Sequence, residues 1–363
     1  MNILILTGKF GNGHWSASLA LKEELLRQSP DAHVHITDFF AYALEEGAET
    51  VYKGFSLLVT HGSPLYNFYY NLTQNAQRSS PDLLASLFVQ HLSRLLEQEH
   101  PDLVIATHPF CAQVMAAYKA GYGDPIPLVT CVTDLSSHSE WVAPGTDRYL
   151  VGSACIRSAL AAKGVDPARV LVTGIPVGRR FHQSAPRRPG EKRRLLIMGG
   201  GMGLMPRDDG FYRSLNTLPY TNVTILTGNN IRLLQRLEGR YENISAVGFT
   251  DRVADYMAHS DLLLSKPGGI TLFEAIYSEL PILAWAPFLQ QEINNAAFLV
   301  QTGIGATAEK GQQACLDAIS SLLYDDSALC AMRRRMCALK SQLEEQEISP
   351  LCAALACHKG VCA

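Results

Sequence analysis

The sequence predicts an α/β protein built from two doubly wound, Rossmann-like parallel sheets. Three observations carry that reading. Short apolar runs alternate with amphipathic stretches from end to end, as expected of strands separated by crossover helices. The 363 residues suffice for two domains of about 150 to 200 residues each. Glycine-rich turns close several of the apolar runs, and open parallel sheets bind ligands beyond the carboxyl ends of their strands.

The first half places strands at 2–7, 33–38, 102–107, 127–133, 148–152 and 169–173. The opening run Met1 to Gly8 is too short and uncharged for a signal peptide and reads as the first strand. Leu83, Leu84, Leu87, Phe88, Leu92, Leu95 and Leu96 give the clearest helical spacing. Residues 52–72 gather Tyr52, Phe55, Leu57, Leu58, Val59, Leu65, Tyr66, Phe68, Tyr69 and Tyr70. That composition suits a membrane interface and suits equally a helix packed on a sheet.

The second half places strands at 194–198, 222–227, 244–248, 261–265 and 281–285. Between the halves lie Arg179, Arg180, Arg187, Arg188, Lys192, Arg193 and Arg194. They read as a solvated linker, or as a basic collar drawn to anionic lipid at about 1 kcal/mol per residue. The expected division is 1–178, a linker 179–193, a second domain 194–345 and a tail 346–363. Cys352, Cys357, His358 and Cys362 fall in that tail, which reads as a frayed end with incidental cysteines, ahead of a metal-binding or lipidated one.

Composition excludes some classes. A charged fraction of 18% and a net charge of −3 do not describe a nucleic-acid binder. No apolar run reaches the ~18 residues of a membrane span. The nine cysteines are odd in number and mostly sit in apolar segments, which fits reduced thiols in a cytoplasmic protein.

The chemistry-bearing residues cluster at strand ends. After the first strand come Gly11, Asn12, Gly13 and His14, a turn open to close ligand approach with an imidazole suited to take a proton. The dinucleotide fingerprint fails because Ser16 holds its sixth position, although Asp38 keeps a dehydrogenase open. Thr133, Asp134, His138, Glu140 and Trp141 follow another strand; such a group orients a base, lines an acceptor pocket, or simply caps a loop. Gly199 to Gly203 and Ser265 to Glu274 are phosphate-cradle candidates. In the latter, Gly268, Gly269 and Thr271 open a helix, and Glu274 suits the two hydroxyls of a ribose. Phe249 is placed to stack on a base or to join the core. Gln291, Glu292 and Asn295 suit sugar hydroxyls. With no Asp-x-Asp and no further His or Cys at ligand spacing, neither metal nor cofactor is expected.

Together these motifs resemble glycosyltransferase family 28, in the branch of monogalactosyldiacylglycerol synthases and bacterial diacylglycerol glucosyltransferases. The resemblance runs from Ile3 to about Gly305 with motifs in order, including Gly174-Ile175-Pro176-Val177 and Gly228-Asn229-Asn230. It implies the glycosyltransferase type B fold, with the two domains facing across a cleft, and His14 as general base, with Asp134 and His138 as further catalytic candidates. Donor contacts fall on Gly201, Gly203, Asn230, Phe249, Thr250, Gly268, Gly269, Thr271, Glu274, Gln291, Glu292 and Asn295. Acceptor contacts fall on Gly11, Asn12, Gly13, His108 and Trp141. Leu289-Gln290 replaces the family's Pro-Gly, which leaves the hexose open. The resemblance implies an inverting transfer from UDP-glucose or UDP-galactose to diacylglycerol, peripheral on the inner face of the plasma membrane. Another lipophilic or polyprenyl-linked acceptor, a UDP-sugar 2-epimerase and a non-enzymatic nucleotide-binding regulator are the alternatives.

Overall fold

The structure, a computed structural model, describes residues 1–10, 12–61, 67–68, 70–71, 73–74, 83–185, 191–201, 203–206, 208–285, 287 and 289–358. Gly11, Leu65, Tyr66, Tyr69, Arg187, Arg188, Met202 and Cys362, singled out above, lie outside the described residues, as do the side chains of Phe55, Leu58, Val59, Leu83 and His358. The chain divides into two compact units. The first comprises Met1–Gly178, Leu289–Gln291 and Leu343–Ala363; the second comprises Arg179–Phe288 and Glu292–Gln342.

The first unit holds β1 (Asn2–Thr7), β2 (His33–Asp38), β3 (Leu103–Ala106), β4 (Leu128–Cys131), β5 (Arg148–Val151) and β6 (Val170–Val172) in the order β2-β1-β3-β4-β5-β6. All its pairings are parallel. Strands buried on both faces need apolar residues at every position. In β1, Ile3 and Ile5 pack with Leu21, Leu25, Leu103 and Val129 on one face. Leu4 and Leu6 pack with Phe39, Phe40, Val104 and Met115 on the other.

The second unit holds β7 (Arg193–Met198), β8 (Thr221–Gly228), β9 (Ile244–Gly248), β10 (Leu262–Ser265), β11 (Ile282–Trp285) and β12 (Gly305–Ala308) in the order β12-β11-β10-β7-β8-β9, again all parallel. The eleven expected strands are present. The twelfth, Gly305-Ala306-Thr307-Ala308, has too little apolar bulk to signal itself. Gly305 admits it to the sheet, because a Cβ there would lie 2.2 Å from the Ile282 carbonyl oxygen.

Three expectations are corrected. The helix read over 83–96 is two, Leu83–Ser86 and Val89–Glu99, joined by a turn in which Leu87 N–H donates to Leu84 O at 3.2 Å. Residues 179–185 and 191–194 belong to the second unit and do not form a separate linker. Phe181 is buried, Ser278 Oγ donates to Phe181 O at 3.1 Å, and Ala185 N–H donates to Ala258 O at 2.8 Å. Arg193 forks onto Asp326 and Arg194 pairs with Asp261 at 3.5 Å, so the basic collar loses two of its charges to carboxylates of its own unit.

The third correction concerns the tail. Far from frayed, Ile348–His358 is a helix that buries Ile348 and Cys352 against Ile3 and Ile5, with Leu351 and Leu355 packed beside them. These four residues recur at helical spacing, the signal that should have identified the element. Val172 N–H donates to the Glu344 carboxylate, and Glu344 N–H donates to Val172 O, both at 2.9 Å. The returning chain thereby occupies the open edge of β6. Ile348→Ala is expected to destabilise the first unit by about 2–5 kcal/mol through the cavity it leaves. Denaturant unfolding with no shift in midpoint would contradict this placement.

Candidate active site

Each sheet reverses its strand order once, between β1 and β3 in the first unit and between β7 and β10 in the second. At such a point crossovers leave in opposite directions and open a crevice past the strand ends. The sequence-marked turns follow these very strands.

In the first unit His14 lies on the first turn of the Gly13–Gln28 helix that follows β1. Its Nδ1 stands 2.9 Å from Thr107 O, just beyond β3, and 2.8 Å from Thr133 Oγ1, beyond β4. A carbonyl oxygen only accepts, so these partners assign the proton to Nδ1 and leave the lone pair on Nε2. Ser18 Oγ fastens the arrangement, bonding His14 O at 2.9 Å and Thr107 Oγ1 at 2.8 Å. Burial lowers the His14 pKa to about 4, partly offset by Thr107 O. The result is an oriented imidazole, neutral at physiological pH, as a general base requires.

The other first-unit candidates are sorted by their bonds. His108 caps the Pro109–Tyr122 helix, its Nδ1 accepting Phe110 N–H at 3.2 Å. Its ring meets that of His14 edge-on at 4.6 Å, and burial, then His14, hold its pKa well below the ordinary value. Asn12 is exposed at the helix start, beside Gly13. Asp134 Oδ1 accepts Leu135 N–H at 2.9 Å. Two roles are corrected. His138 is 3% exposed; Nδ1 accepts Glu140 N–H at 3.2 Å and Nε2 donates to Tyr70 O at 3.1 Å, so both nitrogens are engaged in holding the loop. Trp141 is 4% exposed and belongs to the core, with its ring 6.2 Å from that of His14; it backs the imidazole instead of lining a pocket. Asp38, the residue that kept a dehydrogenase open, accepts from Tyr52 Oη at 2.5 Å and from Ala41 N–H at 3.2 Å.

In the second unit the turn after β10 leads into the Gly269–Tyr277 helix. Gly268 is its extended N-cap and supplies no side-chain oxygen, so the N–H groups of the first turn, through Thr271, are offered outward. Glu274 lies one turn further along. Burial raises its pKa to about 7, against the opposing pull of Arg180. Arg180 also donates to Asp251 O at 2.7 Å, beside Thr250 and the 68%-exposed Phe249 at the end of β9. That exposure removes Phe249 from the core and leaves its ring open to stacking.

The turn after β7 is interlocked with the one after β8. Gly203 sits at φ +58°, where an added Cβ would fall 2.0 Å from Thr227 O. Its N–H donates to Gly200 O, and Gly201 O accepts from Asn229 N–H. Asn230, expected at the donor, instead spends its amide within the protein: Nδ2 donates to Gly203 O at 2.9 Å and Oδ1 accepts Leu233 N–H at 3.0 Å. Asn295 likewise is 1% exposed and donates to Pro267 O at 2.8 Å, bracing the turn after β10. Glu292 lies 3.7 Å from Lys266. Gln291, on the same Gln290–Thr302 helix, falls within the first unit's share of the chain.

Sequence reasoning missed Thr107 and Arg180 as members of these clusters. Thr107 ends an apolar run, and only the order of the strands brings it beside His14.

Residues 14–177 match the family model for monogalactosyldiacylglycerol (MGDG) synthase, and residues 213–333 match the glycosyltransferase family 28 C-terminal domain. A processive diacylglycerol beta-glucosyltransferase of Bacillus licheniformis is 29% identical over 356 residues, covering 92% of this chain and 90% of that protein. The same-named protein of Bacillus subtilis is 27% identical over 351 residues, with 92% and 90% covered. Among solved structures, MurG of Acinetobacter baumannii superposes with a TM-score of 0.65 at 14% identity, over 97% of this chain and 99% of that one. Anabaena HepE in complex with UDP and glucose gives 0.58 at 16%, over 98% of both. These structural likenesses establish the fold.

The depressed His14 pKa has a signed consequence. Between the ordinary value of 6.5 and about 4 the unfolded chain binds more protons at this residue, so its contribution to stability falls as pH drops through that window. NMR titration is expected to show His14 neutral, protonated on Nδ1, down to about pH 4; a midpoint near 6.5 would contradict the burial described.

Proposed function

We propose that this chain, which belongs to glycosyltransferase family 28, is an inverting hexosyltransferase that moves glucose from UDP-glucose to diacylglycerol. The relatives are named for glucose and the N-terminal family model for galactose; glucose is preferred because the relatives match along both units. The observation that carries the reading is the His14 imidazole, neutral and oriented by Thr107 and Thr133, at the first residue of the matched N-terminal domain.

The proposed mechanism is one displacement. His14 Nε2 takes the proton of the acceptor hydroxyl. The hydroxyl oxygen attacks the anomeric carbon as the bond from that carbon to the UDP phosphate oxygen breaks, which inverts the carbon and yields a β-glycoside. UDP leaves with the bonding pair. The charge it gains is met by N–H groups of the helix opening at Gly269 and by the glycine turn after β7. Glu274 accepts from the ribose hydroxyls, Phe249 and Thr250 border the base, and Gln291 and Glu292 read the hexose.

A lipid acceptor requires contact with a bilayer. Among the described residues no helix is long and apolar enough to cross a membrane. The first unit exposes Leu57, Phe68, Leu84 and Leu87, and these supply reversible, peripheral contact. We place that contact on the inner face of the plasma membrane. Tyr70, by contrast, is buried and takes no part in it.

The deciding experiment incubates the protein with radiolabelled UDP-hexoses and diacylglycerol vesicles and separates the products. Labelled β-glucosyldiacylglycerol is expected, insensitive to EDTA, with turnover about 10²- to 10⁴-fold lower in His14→Ala. No labelled lipid from any UDP-hexose would overturn the acceptor assignment.

Binding of UDP-glucose, whose diphosphate has no ionisation in the range concerned, should also follow pH. Ribose hydroxyls donate to a carboxylate, and Glu274 carries a proton below about 7. Affinity measured by calorimetry is therefore expected to fall about tenfold per unit below that pH, and Glu274→Gln should be weak and flat across it. A wild-type profile that is itself flat would argue against the ribose role.

Leu57→Ser combined with Phe68→Ser is expected to impair co-sedimentation with vesicles while preserving UDP-glucose affinity. Unchanged co-sedimentation would remove the membrane role from this surface.

A further inference from the structure

Lys163 belongs to none of the motifs considered so far. It follows the Ala154–Ala161 helix. Its ammonium has three N–H donors and meets three acceptors: Gln74 O at 2.5 Å, Ser139 Oγ at 3.1 Å, and Ser137 O. All three are uncharged oxygens, two of them backbone carbonyls. Burial lowers the Lys163 pKa, so the position works against the charge it holds. A cation kept there on neutral oxygens serves by what it joins.

It joins two segments far apart in sequence. Ser139 donates to Gln74 O from both Oγ, at 2.7 Å, and the backbone N–H, at 3.2 Å. His138 Nε2 donates to Tyr70 O, with Thr73 Oγ1 also at 3.1 Å. Tyr70 Oη donates to Ser136 Oγ at 2.6 Å, and the Tyr70 and His138 rings lie 4.3 Å apart. Tyr70, Thr73 and Gln74 are thus strapped to Ser136, His138 and Ser139, with Lys163 as the buckle. Phe68, two positions before Tyr70, is exposed. Thr133, three positions before Ser136, holds His14.

We propose that Lys163 is a positioning residue for the lipid acceptor, fixing the segment that carries Phe68 against the loop that orients His14. The proposal rests on the reading that the acceptor is a lipid. It separates acceptor from donor. Lys163→Met keeps the aliphatic stem and removes every donor, so three oxygens lose a charge-assisted partner while the second unit is untouched.

The test measures KM for diacylglycerol in anionic vesicles, kcat, UDP-glucose affinity and hydrogen exchange at the Ser139 amide, in wild type, Lys163→Met and Lys163→Arg. Lys163→Met is expected to raise KM about tenfold or more, to leave kcat and UDP-glucose affinity within about twofold, and to speed exchange at Ser139. Lys163→Arg, still a cation with several N–H donors, should recover part of the KM. An unchanged KM in Lys163→Met overturns the proposal alone. A parallel loss of kcat, UDP-glucose affinity and thermal stability also overturns it, since that pattern belongs to a general loosening of the fold. A wild-type protein inert on diacylglycerol removes the acceptor reading, and this proposal with it.

Discussion

A parallel sheet releases all its strands through one edge, and the register of two central strands decides which residues meet there. In the first unit Leu6 pairs with Ala106, so Thr107 emerges beside the turn that leads to His14. In the second, Met198 pairs with Ser265, so the two glycine turns emerge together. A one-residue slip in either pairing would reverse which side chains face the core, and burial on both faces forbids it. The site geometry is therefore held by the most buried parts of the molecule. The turns themselves contribute composition: glycine where backbone crosses backbone, and a helix start left without a side-chain cap.

The electrostatics of the two units differ in kind. In the first, burial keeps His14 neutral against the pull of the Thr107 carbonyl, which turns the ring one way. Base strength is traded for readiness, since little imidazolium has to lose a proton before the step begins. In the second, burial holds the Glu274 carboxyl near neutrality, and Glu292 is kept beside Lys266. Charge is thus used sparingly near the turns expected to meet a diphosphate, where backbone dipoles act without the desolvation cost of buried ions.

What the sequence disclosed follows from the same physics. Strands buried on both faces, such as β1, β3 and β10, produce unbroken apolar runs, and edge strands such as β2 alternate; β12, made of small residues, gives neither signal. The His14 turn and the Glu274 helix were legible because glycine at a strand end is a local signal. Thr107 was not, because only strand order brings it to the imidazole. His138 and Trp141 misled for a related reason: a motif residue that shapes a loop from within looks, in one dimension, like one that faces a ligand. Arg193 and Arg194 read as free charge because Asp326 and Asp261 lie far along the chain. The closing helix was the avoidable miss, since its period was present and its cysteines drew the eye instead.

That closing helix also sets an order of assembly. The second unit can complete its core once residues up to 342 are available. The first cannot, because Ile348 and Cys352 fill space beside β1 and Glu344 occupies the edge of β6. During synthesis the earlier-made domain is therefore the later to mature. Until those residues emerge, part of its oldest strand stays uncovered.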